Sequence, residues 1–148
     1  MTTLLSTVDS NTTTIEAQSA IAPATGTVVS LSLYIAATST GPDSIELGLY
    51  TDDGGVPEAL IASTASVVDP PAGAWLTLPV PAVTVSAGTP YWLAYEVSGP
   101  SVNYLTDSVS GVAVCSTFLA SYGTMPAQFP GPADCSGFPW SFYATIQP

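Results

Sequence analysis

No lysine, arginine or histidine occurs anywhere in these 148 residues. Contacts to phosphate need cationic side chains, so nucleic acid is excluded as a partner. An anionic membrane surface repels a chain of formal net charge -11. Ser-His-Asp and Cys-His arrangements cannot be assembled without histidine, and any general base would have to be a carboxylate. Charge of either sign is scarce, at 7% of residues against about 25% in an average soluble domain. Trypsin-like proteases find nothing to cut, which suits a surface exposed to them. No stretch approaches the ~20 apolar residues of a membrane helix, so no membrane insertion is expected. The opening MTTLLSTVDSNTTT lacks the basic start and long apolar run of a signal peptide. The expectation is a chain that stays where it is made, or one from which a leader has been removed.

What is present is hydroxyls, turn residues and greasy positions. Hydrophobic residues make up 47% of the chain, too many for disorder, and the length suits one domain over residues 1–148 with a single core. TVVSLSLYIAA places Val29, Leu31, Leu33 and Ile35 on one face and Ser30, Ser32 and Tyr34 on the other. SIELGLYTD sets Ile45, Leu47 and Leu49 against Glu46, Gly48 and Tyr50. Period two means strands with one buried and one wet face. Glycine and proline clusters (APATG, STGPD, DDGG, DPPAG, SAGTP, SGPS) punctuate the runs. Further strands are expected near 3–8, 13–22, 59–68, 74–80, 90–98, 102–108, 111–119 and 141–147. The fold class is therefore all-β: a two-sheet β-sandwich of about 8–10 strands with jelly-roll or Greek-key connections. Residues 1–12 read as an N-terminal arm, able to pair with a neighbour, or as an edge strand of the chain's own sheet.

In YWLAYEV, Tyr91, Leu93, Tyr95 and Val97 share one face, and Trp92, Ala94 and Glu96 share the other. Leu93 and Val97 are expected in the core with Tyr91 and Tyr95 beside them. Glu96 marks its own face as wet, which puts Trp92 outside or under a crossing loop.

The segments LGLYTDDGGVPEALIAST, AGAWLTLPV and VSAGTPYWLAYEV together resemble a group of bacterial and bacteriophage β-sandwich surface modules with a carbohydrate-binding-module-like, jelly-roll fold. The resemblance covers residues 14–98 and is looser elsewhere. It implies the sandwich fold and a role as a surface-protein repeat, a carbohydrate-binding-like module or a virion structural domain. It implies no catalytic residue.

Four features are candidates for chemistry. Asp52, Asp53 and Glu58 gather in one glycine-containing loop where oxygen ligands could hold Ca²⁺, or simply make a solvated turn. Cys115 and Cys135 could pair across about twenty residues, stabilising by roughly 3 kcal/mol, or stay as buried thiols. The proline- and aromatic-rich loop 115–140 presents Tyr122, Phe129 and Trp140, which with Trp92 could stack on sugar or form a protein hot spot. Alternatively the loop is a lid over one end of the sandwich. Asn11 opens a glycosylation sequon that matters only in a secretory host.

The expected function is a non-catalytic structural module on the surface of a larger assembly, a virion decoration or tail/fibre-type protein of a bacteriophage. Its partners would be other protein subunits, including copies of itself, and no cofactor is expected beyond a structural Ca²⁺. Two alternatives carry different partners: a carbohydrate-binding module stacking glycan on Trp92, Tyr34, Tyr50 or Trp140, and a subunit of a secreted extracellular filament or adhesin. An enzyme is not expected, because the acids are scattered over turns and no pair can be assigned from spacing.

Overall fold

The computed structural model describes residues 5–8, 13–38, 43–99, 102–106, 111–131, 133–136 and 139–148. The sequon at Asn11 and Phe138 lie outside the described residues. Among the described residues, eleven strands form two antiparallel sheets that pack face to face as a β-sandwich. They are β1 (Leu5–Val8), β2 (Thr14–Ile21), β3 (Gly26–Thr38), β4 (Ser44–Asp52), β5 (Pro57–Ser63), β6 (Val67–Val68), β7 (Ala74–Val85), β8 (Pro90–Val97), β9 (Val102–Thr106), β10 (Val114–Phe118) and β11 (Phe142–Gln147).

In the five-stranded sheet β3 is central. β7 lies along one side of it, while β11 and β9 follow one another along the other side, and β1 pairs with β9. The N-terminal segment is therefore a strand of the chain's own sheet over Leu5–Val8. The six-stranded sheet runs β10-β2-β8-β4-β5, with β6 also on β4. Residues 59–68, expected as one strand, divide into β5 and β6 because Thr64 turns aside between them. Its N–H donates to Leu47 O at 2.9 Å and its hydroxyl accepts the Leu47 N–H at 3.1 Å. β7 runs past the expected end at residue 80 in spite of Pro79 and Pro81. It has β3 as its partner, and the register slips between Val28 and Ser30 just where the prolines sit. Edge strands and bulges tolerate proline because no N–H is asked of it.

The inner faces of the two sheets make one apolar core. Leu31, Leu33 and Ile35 of β3 meet Leu47 and Leu49 of β4 and Leu93, Tyr95 and Val97 of β8. Gln18 of β2 is a polar residue buried between the sheets. Its Oε1 accepts the Trp140 N–H at 2.7 Å and its Nε2 donates to Phe142 O at 3.4 Å. Both amide ends are thus matched, and the contact pins the entry of β11 to the opposite sheet.

The burial pattern separates the two outer faces. β7 alternates exposed and covered residues from Trp75 to Val80, as a strand with one wet face should. β8 is buried at every residue from Trp92 to Val97, and β4 at every residue from Ile45 to Tyr50. The six-stranded sheet is therefore covered on both faces, which corrects the expectation of a wet face around Glu46 and Glu96.

Candidate functional site

The cover is a strap, residues 119–136. It leaves β10 with Leu119 N–H on Thr13 O at 3.0 Å and crosses the outer face to the free edge of β5. There Leu60 N–H reaches Ala127 O at 2.9 Å and Phe129 N–H reaches Glu58 O at 2.7 Å. It then returns to β10, where Ser116 and Asp134 exchange backbone hydrogen bonds at 2.8 and 2.9 Å. The Cys115–Cys135 disulfide fastens that return. Both edges of the sheet are thereby capped, which removes two open templates for pairing. The loop, read in one alternative as a lid over one end of the sandwich, instead crosses the middle of a sheet face and leaves Ile21 at its margin exposed.

Beneath the strap lies a second apolar cluster of Ile15, Ala17, Tyr50, Trp92, Ala94, Cys115 and Met125, with Leu60, Leu119, Phe129 and Ala133 packed against it. Tyr50 donates to the strap carbonyl of Pro126 at 2.8 Å and meets Phe129 edge-on at 5.4 Å. Trp92 is fully buried and its Nε1–H donates to Asp52 Oδ1 at 2.8 Å. Gly48 makes room: a Cβ there would lie 2.5 Å from Met125 Cε and 3.2 Å from Leu60 Cδ1. Gly48→Ala should therefore displace the flexible end of the Met125 side chain and lower stability by about 1 kcal/mol, the bottom of the overpacking range. A chemical-denaturation curve checks it, and a midpoint equal to that of the unaltered chain contradicts the packing.

Two acids share this covered face. Glu46 and Glu96 stand directly opposite each other across the β4–β8 pair and are 6% and 1% exposed. The strap donates to both: Gly123 N–H reaches Glu96 Oε1 at 3.0 Å, and Met125 N–H, with the Ser63 hydroxyl, reaches Glu46. Burial pushes the Glu96 carboxyl up to about 6, with the Gly123 N–H pulling the other way and the nearby Glu46 charge adding to the rise. Burial likewise raises Glu46 against its two donors. The Tyr50 and Tyr122 phenols are raised too, by burial first and then by the two carboxylates, with the Ser66 hydroxyl bonded to Tyr122 opposing the rise there.

The other outer face, on the five-stranded sheet, stays open. Trp75 of β7 stacks edge-on with Tyr34 of β3 at 5.4 Å and with Tyr143 of β11 at 5.0 Å. Trp75 remains 46% and Tyr143 45% exposed. Beside the rings run Thr77, Ser32, Ser30 and Thr145, brought level by the register, with Ser32 and Thr77 hydroxyls 2.8 Å apart. None of the eleven acids of the chain lies on β3, β7 or β11. These three strands thus carry no acid on a molecule whose net charge is -11.

Of the residues singled out in the sequence, Trp92 and Trp140 are both buried. Trp140 lies in the main core against Tyr95, ring centroids 5.0 Å apart. Tyr122 is half-buried and bonded to Ser66, and Phe129 packs inward on Tyr50. These four rings hold the strap and core together and are not presented as a common surface. In the acidic turn, Asp52 commits Oδ1 to Trp92 and Oδ2 to Gly55 N–H at 3.1 Å. Among the described residues no three His, Cys, Asp or Glu side chains gather in a metal-binding arrangement. Sequence reasoning passed over Trp75 and the Glu46–Glu96 pair. The period-two faces of β4 and β8 carried a signal for the pair, since each acid shares its face with an aromatic, Tyr50 on β4 and Trp92 on β8.

One cavity of about 270 Å³ opens between the end of β2 and β11, lined by apolar residues that include Ala20, Val28, Tyr91, Phe142 and Ile146. No protein-family model matches the chain, and no curated protein matches it.

Proposed function

We propose that this chain is a non-catalytic structural module on the surface of a larger assembly such as a bacteriophage virion, attached through the outer face of its five-stranded sheet. The observation that carries the reading is the acid-free face bearing Tyr34, Trp75 and Tyr143. Aromatic rings left half-exposed on a rigid sheet are characteristic of interface hot spots, and exposed apolar clusters on soluble domains mark contact surfaces. The acids elsewhere keep the remaining surface soluble and discourage self-association. The carboxylate pair that the fold brings together, Glu46 with Glu96, is sealed under the strap and offers a substrate no approach.

Trp75→Ala combined with Tyr143→Ala should leave the thermal midpoint within a few degrees of the unaltered chain. It should weaken incorporation into the parent particle at least about tenfold, measured by competition between tagged copies. Equal incorporation of the two forms would refute the reading. The accessible hydroxyls of Ser30, Thr77 and Thr145 beside the rings favour a second reading, a module for neutral carbohydrate, while Ser32 is buried and bonded to Thr77. Rings would stack on the apolar face of a sugar and hydroxyls would meet its edge. Selective binding on a glycan array that is lost in the same double variant would place this reading first.

A further inference from the structure

A buried carboxylate needs a counter-charge, and this chain has no cationic side chain to offer one. Two carboxylates placed opposite each other in one covered face make the shortage acute. The strap meets part of it with the Gly123 and Met125 N–H groups. Glu96 Oε2 is left sealed from solvent with no hydrogen-bond partner. Hydrogen bonds from neutral amides stabilise one carboxylate; they do not offset two adjacent negative charges in a dry site. The missing charge has to come from outside the chain, and the smallest species that fits a sealed, unpartnered carboxylate oxygen is a proton.

We propose that Glu46 and Glu96 form a proton-binding latch: the pair holds one proton while the strap 119–136 is closed over it, and loss of that proton loosens the strap. The reaction is a plain acid dissociation, one O–H bond breaking and the proton leaving to solvent. Among the described residues, the titratable groups facing the pair are Tyr50 on β4 and Tyr122 on the strap. Both are neutral when the pair titrates. β2 and β10 contribute Ile15, Ala17 and the disulfide-bonded Cys115 to this face, none of which ionises there. Asp52 stands further along the same face and is committed to Trp92 and Gly55.

The direction of the pH effect follows from the carboxyl that rises. The folded chain holds a proton up to about 6 at Glu96, which the unfolded chain releases near 4.5. The closed strap is therefore most stable at and below the lower value and weakens as the pH rises through the upper one. The latch is closed in acid and relaxed at neutral pH.

Two measurements on the intact, oxidised chain test this. In the first, the side-chain carboxyl carbons of Glu46 and Glu96 are followed by NMR as pH changes. One of the two should titrate clearly above the ordinary glutamate range, and titration of both within it would overturn the proposal. In the second, amide exchange protection at Gly123 and Met125 is measured between about pH 5 and pH 7.5. Protection should fall roughly tenfold over that interval, should lose most of that slope in Glu96→Gln, where Glu46 alone still titrates under the strap, and should keep its full slope in the surface control Asp53→Asn. An unchanged slope in Glu96→Gln overturns the proposal. So does a rise in protection at neutral pH on adding millimolar calcium that Glu96→Gln abolishes, because a metal ion would then be the counter-charge. The first measurement stands if Glu96→Gln fails to fold.

Discussion

Trp92→Ala lowers the stability of the protein by about 3–5 kcal/mol, a drop of roughly 10 °C or more in thermal midpoint for a domain of this size. The side chain is fully buried between the six-stranded sheet and the strap, in a cluster with Tyr50, Ala94, Cys115 and Met125. Truncation leaves a void too well walled to collapse, because the sheet is rigid on one side and the disulfide holds the strap on the other. It also strips Asp52 Oδ1 of its Nε1–H donor, adding the penalty of an unpaired acceptor. Trp92→Phe restores most of the volume and omits the hydrogen bond, so it should recover more than half of the loss. Thermal unfolding followed by circular dichroism checks both variants. A Trp92→Ala midpoint within two or three degrees of the unaltered chain would show that the ring does not support a second core.

How far the fold was legible can be judged on β3, β4 and β8. Their alternation placed Leu31, Leu33, Leu47, Leu49, Leu93 and Val97 in the inter-sheet core, where they lie. The same alternation identified which residues share the outer faces but not whether those faces are wet. Glu46 and Glu96 looked like solvent markers because ionised acids are seldom buried without a partner. What overrides that rule is a strap crossing from more than twenty residues further along the chain, held to β5 and β10 by backbone hydrogen bonds. Such coverage is a non-local property and leaves no period in the sequence. Trp140 was misplaced for a related reason. It follows an aperiodic proline-rich segment, so nothing local shows that Gln18 will draw its backbone into the main core. Tyr34, Trp75 and Tyr143 are far apart in sequence and meet because β3 lies between β7 and β11. Strand order is not written in any one strand, so the open aromatic face could not be assembled from patterns alone.

Opening the Cys115–Cys135 bond should separate the two cores. In the chain-entropy description a closed loop of about this length contributes roughly 3 kcal/mol, so reduction should lower the midpoint by about 6–12 °C. Cys135→Ser is the cleaner variant, since Cys135 is exposed and Cys115 then remains as a buried thiol among apolar neighbours. Cys115→Ser adds a hydroxyl to that cluster and should be worse. The main core contains no residue of the strap, so the reduced chain should keep its strand signal in circular dichroism while Leu60, Gly123 and Phe129 amides lose protection from exchange. Loss of strand signal together with strap protection would show that the sandwich cannot stand without its cover. The strap also governs the acids. Once it lifts, water reaches Glu46 and Glu96 and the burial that raised them is gone. The pH dependence of stability between about 4.5 and about 6 should therefore shrink in Cys135→Ser relative to the oxidised chain. A disulfide variant that unfolds early yet keeps the full acid dependence would mean that the carboxylates are sheltered by the sheet alone.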